Sequence, residues 1–310
     1  MPSRSQSLIV GLGESLFDCF PDREVLGGAP LNVALHANAL LGLVGGRGVV
    51  ATRIGRDELG ERLLRELGDR GLDTSFVQID ERLPTGRVDV LLDSAGDATY
   101  QFLTPSAWDA LELDAPLTEL ARSCDAVVFG TLGQRDKASR EAIQSFLLDA
   151  PMAIRLFDVN LRQDFYSAEI IDRSLRLASA AKFNEDELTI VARLLGLDPE
   201  LKVGQSTAFF LKRYDLDWLA LTRGPRGTLL VAQDRHHAGE EATFPQDSKA
   251  DTVGAGDACS AGLLYGSLRG WPQEKTATLA NRLGAYVASR PGATPKLPAD
   301  LLAEAGVQSQ

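Results

Sequence analysis

The segment Asp251-Thr252-Val253-Gly254-Ala255-Gly256-Asp257 concentrates more chemistry than any other in the chain. Two glycines bracket an alanine, and an aspartate follows where an apolar stretch (Ala258, Ala261, Leu263, Leu264) begins. This spacing predicts a loop feeding a helix N-terminus, whose unpaired N–H groups and partial positive charge receive an anion. Gly254 and Gly256 let a phosphate approach the backbone, because no Cβ intervenes. A carboxylate there would repel an anion, unless Asp257 is a base that takes the proton from a hydroxyl attacking the phosphate. An aspartate N-cap after a glycine-rich turn has the same composition, and these seven residues do not separate the two readings. No Gly-Lys-Ser/Thr closes the loop, so it is not a Walker A motif.

The composition narrows the setting. At 310 residues the chain is long enough for two domains or for one large α/β domain with an appendage, and 44% hydrophobic residues suffice for a buried core. A formal net charge of −11 argues against a nucleic-acid partner, which demands a basic footprint. Cys19, Cys124 and Cys259 have no metal-ligand spacing, and Cys259 reads as a small packed thiol among Ala258, Ser260 and Ala261. His36, His236 and His237 form no His-x-x-x-His pair. No apolar stretch approaches the roughly 20 residues of a membrane span, and Met1–Ser7 is too short and polar for a signal peptide. A reduced cytoplasmic home and no membrane contact are the expectation.

The elements that must position the loop read as follows. Leu8–Gly11 is a buried strand and Leu16–Phe20 a second short one. The intervening Gly11-Leu12-Gly13-Glu14-Ser15-Leu16 lacks the third glycine of a dinucleotide fingerprint. Pro30 opens a helix that runs to Leu41 and stops at Gly42. Gly48–Ile54 is a strand, and Asp57 caps a helix that Gly71 closes. Gly86–Leu92 and Thr99–Leu103 form a hairpin around Asp93–Asp97. Strands then alternate with helices: Val127–Gly130, Ala138–Leu148, Ile154–Val159, Ala168–Ala178, Lys182–Asn184 and a helix from Glu185. Strands at Leu219–Thr222 and Thr228–Val231 precede two closing helices, Ala255–Leu268 and Gln273–Ala288. Alternation of this kind predicts a three-layer α/β/α domain with a mainly parallel sheet over residues 1–310. Residues 14–20 and 84–103 interrupt it as a small β-sheet lid.

Several motifs in this order resemble the ribokinase/PfkB family of carbohydrate kinases. They are Gly27-Gly28-Ala29-Pro30-Leu31-Asn32-Val33-Ala34, then Arg53-Ile54-Gly55-Arg56-Asp57 with Gly60, and the loop Asp251–Asp257. Between these signatures stand Asp158-Val159-Asn160-Leu161-Arg162, Asn184-Glu185-Asp186-Glu187 and Thr222-Arg223-Gly224-Pro225-Arg226-Gly227. The likeness runs from Gly11 to about Pro298. Within the family it looks most similar to bacterial fructokinases, through Gly13-Glu14-Ser15-Leu16-Phe17-Asp18, Ala107-Trp108-Asp109, Phe129–Arg135 and Phe165-Tyr166.

The resemblance implies an ATP- and Mg²⁺-dependent kinase that phosphorylates a small sugar at a primary hydroxyl, with fructose first among the substrates. It makes Asp257 the base, gives Gly254, Ala255 and Gly256 the phosphoryl oxygens, and sets Arg162 on the γ-phosphate, where a surface pair with Asp158 or Asp164 is the alternative. Asp18, Gly28 and Asn32 would hold the sugar, with Phe102 and Trp108 over its apolar face unless they are packing residues. Asn184, Thr222, Arg223, Gly224, Gly227, Asn281 and Gly292 would line the ATP site, with Ala293 beside the adenine. Asn281 also reads as an exposed helical residue, and the glycines as turn residues. Glu187 would organise Mg²⁺ through water, although Asn184 and Glu187 equally form a capping box. Asp251 and the Val253 carbonyl occupy positions where some members hold K⁺, and the resemblance suggests a homodimer formed through the lids. Arg87 in the hairpin could pair with a substrate carboxylate, which would favour 2-keto-3-deoxygluconate over fructose. A non-catalytic sugar or nucleotide sensor is the alternative of another class.

Overall fold

The computed structural model describes residues 6–21, 23–92, 98–198, 201–232 and 235–306. The chain enters through β1 (Leu8–Leu12), β2 (Leu16–Cys19), β3 (Glu24–Gly27) and α1 (Ala29–Leu41). It continues through β4 (Arg47–Gly55), α2 (Glu58–Asp69), β5 (Val77–Asp80), β6 (Gly86–Leu92) and β7 (Ala98–Phe102). Then come α3 (Ala115–Ser123), β8 (Ala126–Phe129), α4 (Lys137–Asp149), β9 (Ile154–Asp158), α5 (Ala168–Leu177), β10 (Ala180–Asn184) and α6 (Glu185–Leu194). The last part holds α7 (Val203–Tyr214), β11 (Trp218–Thr222), β12 (Thr228–Ala232), β13 (Arg235–Ala238), α8 (Ala255–Leu268), α9 (Gln273–Val287) and α10 (Ala299–Gly306).

Nine strands form one sheet in the order β13-β12-β11-β10-β9-β8-β1-β4-β5, parallel except at β12 and β13. Strands buried on both faces need apolar residues throughout, which is why β1 and β8 read as unbroken apolar runs. Alternate side chains serve opposite layers. Ile9, Val128, Leu156 and Ala220 pack with α1, α8, α9 and α10, whereas Val10, Val127, Phe157 and Phe183 pack with α3 to α7. The chain builds outward from β1 to β5 on one side and from β8 to β13 on the other, so strand order reverses between β1 and β8. A crevice at the carboxyl edge of such a switch is where open α/β sheets take ligands.

The other four strands form the expected small sheet, in the order β3-β2-β6-β7. It is mixed: β2 pairs with β6 in parallel and antiparallel with β3. Strand β3 was not foreseen, and neither were β5, β13, α3, α7 and α10. The expected hairpin turn Asp93–Asp97 lies outside the described residues. Asp57 caps α2 as expected, accepting from Gly60 N at 2.8 Å, and its other oxygen accepts Thr85 N at 2.8 Å, fastening the root of β6 to the main body.

Candidate active site

Two helix N-termini meet at the switch point. Helix α8 is small and apolar on all sides, so it packs buried against α1 and α9 rather than lying on the surface. Its N-cap is Gly254, in the left-handed conformation at φ 77°, and the first helical bond runs from Ala258 N to Gly254 O at 2.9 Å. The N–H groups of Gly256 and Asp257 precede that bond and point out of the helix end. Asp257 is therefore not the cap. It sits inside the first turn, 9% exposed, and its Oδ2 accepts from Asn32 Nδ2 of α1 at 2.8 Å. That bond removes the capping reading of the aspartate.

A buried ion pair lies behind it. Lys182 Nζ donates to both carboxylate oxygens of Asp158 at 2.7 and 2.8 Å, and Ser260 Oγ of α8 donates to Asp158 Oδ2 at 2.7 Å. A Cβ placed on Gly256 would stand 3.5 Å from Lys182 Nζ, so the ammonium lies directly beneath the anion loop. Burial raises the pKa of Asp257 to about 6 and Asp158 adds to the rise, while Asn32, Lys182 and Arg162 oppose it. Burial works against the charge of Lys182, but Asp158, Cys259 and Glu187 together outweigh it and keep the lysine protonated. Breaking such a pair by removing one partner costs about 3–5 kcal/mol. Sequence reasoning missed Lys182 as a site residue. Its signal was a lone lysine in the apolar strand Ala180-Ala181-Lys182-Phe183, with Asp158 opposite it in register.

On the other side of Asp257 the site is rich in acceptors. Gly28, at φ 108°, caps α1; a Cβ there would meet Glu14 O at 2.6 Å, so only glycine fits. Asp18 on β2 has its pKa raised to about 6 by burial, against the pull of Arg162. Arg162 is exposed, flanked by Asn160 (φ 42°) and Gln163 (φ 46°), left-handed residues of the kind that cluster at working sites. Gln163 Nε2 donates to Tyr100 O of β7 at 2.6 Å, which holds this loop under the small sheet. The expected alternative of an Arg162–Asp158 pair is not what forms, because Lys182 occupies that carboxylate. A cavity of about 10 Å³, room for one water, lies between Ala29, Pro30, Phe129, Asp158 and Asn160.

The remaining candidate residues cluster along the same sheet edge. Asn184 and Thr222 are register partners at the ends of β10 and β11. Asn184 and Glu187 form the expected capping box at 2.8 Å in each direction, and Glu187 Oε1 also accepts Leu161 N at 3.1 Å. Arg223 folds back on the carbonyls of Gly227 and Arg226; Gly224 (φ 57°) and Gly227 (φ 67°) make the turn into β12. Asn281 is not the exposed residue that its helix allowed. It is buried, accepting Thr228 N at 2.7 Å and donating to Glu240 O at 2.8 Å, so it staples α9 to β12. Asp251 joins two loops, accepting Val253 N and Gly292 N at 3.0 Å each.

The aromatic pair divides. Phe102 is half-buried and meets Phe165 edge-on at 5.4 Å. Trp108 is 2% exposed under the Arg135 guanidinium at 3.9 Å, and its Nε1 lies against Gly86, so it packs the root of β6. Arg87 is half exposed and bonds Asp89 at 2.6 Å, a partner within its own strand. Cys19, Cys124 and Cys259 are all buried free thiols, and Cys259 meets Thr228 Oγ1 at 3.4 Å. Among the described residues, no helix is long and apolar enough to cross a membrane.

Comparison with known proteins agrees with this geometry. A family model described as pfkB family carbohydrate kinase matches residues 13–300. The fructokinase of Salmonella typhimurium is 29% identical over 306 residues, covering 93% of this chain and 95% of that protein. The aminoimidazole riboside kinase of Salmonella typhimurium is 28% identical, covering 93% and 91%. A double mutant of Vibrio cholerae O395 fructokinase, solved with fructose, ADP and potassium, superposes with a TM-score of 0.76 at 25% identity, covering 97% and 99%.

Proposed function

Because the chain belongs to the pfkB family of carbohydrate kinases and is therefore a phosphotransferase, we propose that it moves the γ-phosphoryl group of ATP to the primary hydroxyl of fructose, giving fructose 6-phosphate. The observation that carries the reading is the Asn32–Asp257 bond. It sets a buried carboxylate at the mouth of an unpaired helix N-terminus, with acceptor groups on its sugar side and cations on its phosphate side.

In this reading Asp257 takes the hydroxyl proton as the sugar oxygen bonds the γ-phosphorus and the bond to the ADP oxygen breaks. A pKa of about 6 leaves Asp257 ionised at neutral pH, yet more basic than an ordinary aspartate. The N–H groups at Gly254–Gly256 receive the phosphoryl oxygens, with Lys182 beneath them and Arg162 in front, so that charge is met by fixed donors. Asp18, Gly28 and Asn32 orient the sugar, and the small sheet acts as the lid that excludes water, with Phe102 on its inner edge. Trp108 supports that lid from below and does not touch the sugar.

Thr222, Arg223, Gly224, Gly227 and Gly292 line the nucleotide side, with Asn281 holding the β12 turn in place. Among the described residues no three acidic, His or Cys side chains gather as a metal cage, so a divalent ion would rely on phosphate and water ligands. Each oxygen of Glu187 accepts one backbone N–H and keeps a lone pair, which suits a water-mediated hold. When bound, Mg²⁺ supplies charge neutralisation of the transferring group. The double mutant of Vibrio cholerae O395 fructokinase was solved with potassium, and in this reading Asp251 and the Val253 carbonyl would hold such an ion here.

A riboside is the second reading, favoured by the near-equal identity to the aminoimidazole riboside kinase. The sugar-acid reading loses its support, since Arg87 has Asp89 as partner and the pocket side carries Glu14, Asp18 and Asp257. The test is ADP release with fructose, other hexoses, ribosides and 2-keto-3-deoxygluconate. Fructose is expected to give the highest kcat/KM, and preference for the sugar acid or a riboside refutes the assignment. Asp257→Asn is expected to lower kcat by about 10²–10⁴, and a loss under about tenfold removes Asp257 as the base.

A further inference from the structure

We propose that Glu14 contacts the substrate, accepting one hydroxyl of the acceptor sugar and so helping to set which neutral polyol the enzyme takes. The inference rests on the sugar-kinase reading above. Glu14 lies in the three-residue link between β1 and β2, where the chain leaves the main sheet at the switch point and enters the small sheet. It is 3% exposed, and its buried Oε2 has no hydrogen-bond partner among the described residues. An unpaired carboxylate oxygen is costly to bury, so a native chain keeps one where a ligand completes it.

The surroundings say what that ligand offers. The backbone N–H groups of Glu14 and Ala29 face the carboxyl and account for one side of it. The other side is walled by glycine: a Cβ on Gly133 would stand 3.1 Å from Oε2, 3.2 Å from Gly13 Cα and 3.3 Å from Ile143 Cδ1, so only the missing side chain of Gly133 leaves room there. Two more unpartnered buried oxygens lie on the segments that meet at Gly28, namely Ser15 Oγ and Asn32 Oδ1. The amide nitrogen of that same Asn32 holds Asp257, which ties this acceptor set to the base. The charges that bear on Glu14 are Arg162, which favours its ionised form, and Asp257, which opposes it. Burial is the largest influence and lifts the carboxyl to about 7, so about half of it is ionised at neutral pH, and that form presents acceptor oxygens to hydroxyl donors. Sequence reasoning used Glu14 only as part of a family string and gave it no role.

The experiment compares wild type with Glu14→Met, which keeps the volume and removes the acceptor, and Glu14→Gln, which keeps one oxygen. Initial rates are measured with fructose and a series of its monodeoxy analogues at saturating ATP. Wild type is expected to discriminate against one analogue by about 10- to 100-fold in kcat/KM. In Glu14→Met, fructose falls by a similar factor while that analogue does not, so discrimination at that one hydroxyl collapses, and Glu14→Gln recovers part of it. The KM for ATP stays unchanged. Equal losses on every analogue, or discrimination as in wild type, make Glu14 a structural residue and overturn the proposal. If Glu14→Met does not fold, Glu14→Gln is read by the same criterion. A wild type that phosphorylates no neutral sugar overturns the parent reading as well, whereas an active wild type with unaltered discrimination defeats the role of Glu14 alone.

Discussion

Replacing Asn32 by leucine isolates the bond on which the proposed base depends. Leucine matches asparagine in size but donates nothing to Asp257 Oδ2, which now receives Nδ2 at 2.8 Å. A buried hydrogen bond to a charged group is worth about 1.5–3 kcal/mol, and one pKa unit is about 1.4 kcal/mol, so the loss raises Asp257 by about one to two units. The bond favours the anion, so removing it disfavours the anion, and the pKa climbs from about 6 to between about 7 and 8. Base catalysis needs the ionised form, and activity is lost as pH falls through this pKa. At pH 7 the ionised fraction then drops from about nine-tenths to about a quarter for a value near 7.5. The assay is kcat/KM for fructose from pH 5.5 to 9, which reports the free enzyme. In the proposed site Asn32 also faces the sugar, so the plateau is expected to fall too, but a binding loss alone does not move the limb. An acidic limb within about 0.3 unit of wild type refutes the reasoning, because one pKa unit is the smallest shift the bond supports.

Three further outcomes follow from the geometry. Gly254→Ala places a Cβ 2.4 Å from Ala293 O at a φ of 77°, so the loop must move; kcat is expected to fall about 10²-fold with a lowered Tm, and wild-type kinetics would deny the loop its role. Burial raises Glu14 from 4.5 to about 7, so its proton is held more tightly when folded. That stabilisation is complete below pH 4.5 and is lost as pH rises through 7, a change of about 3 kcal/mol by linkage. Glu14→Gln should therefore melt above wild type at pH 8 and near it at pH 5, and an identical pH dependence of Tm counts against the buried charge. Arg87→Ala, which removes only the surface pair with Asp89, should leave fructose kinetics within about twofold, and a large rise in KM would bring Arg87 into the site.

What the sequence disclosed follows from what is local. The loop and bounds of α8 were readable, because Gly-x-Gly-Asp before an apolar run encodes a helix start on its own. The capping box of Asn184 and Glu187 was readable for the same reason. Strand β3 was not, since Glu24-Val25-Leu26-Gly27 is short and gains its identity only by pairing with β2. Helix α7 begins at Val203 behind Lys202, which has no acceptor for the first turn, so no N-cap residue type announced it, although the Gln205 side chain accepts Lys202 N at 3.0 Å. The Lys182–Asp158 pair depends on the register of β9 against β10, which spacing along the chain does not state. The burial of Asn281 was not readable, because it comes from β12 and the carbonyl of Glu240, both remote in sequence.

The union of α1 with α8 has a consequence for how the chain is made. Asn32 and Asp257 are 225 residues apart, and His36 bonds the Ala293 carbonyl across 257. During synthesis α1 leaves the ribosome early, with Val33, Ala37 and Leu40 uncovered until α8 and α9 arrive to bury them. Such long-range closure is slow, and the waiting helix is a natural client for a chaperone. A ribosome that stops before residue 255 therefore releases a chain lacking both Asp257 and the cover of helix α1. Early termination in this protein is expected to yield a folding failure rather than a folded but inactive enzyme.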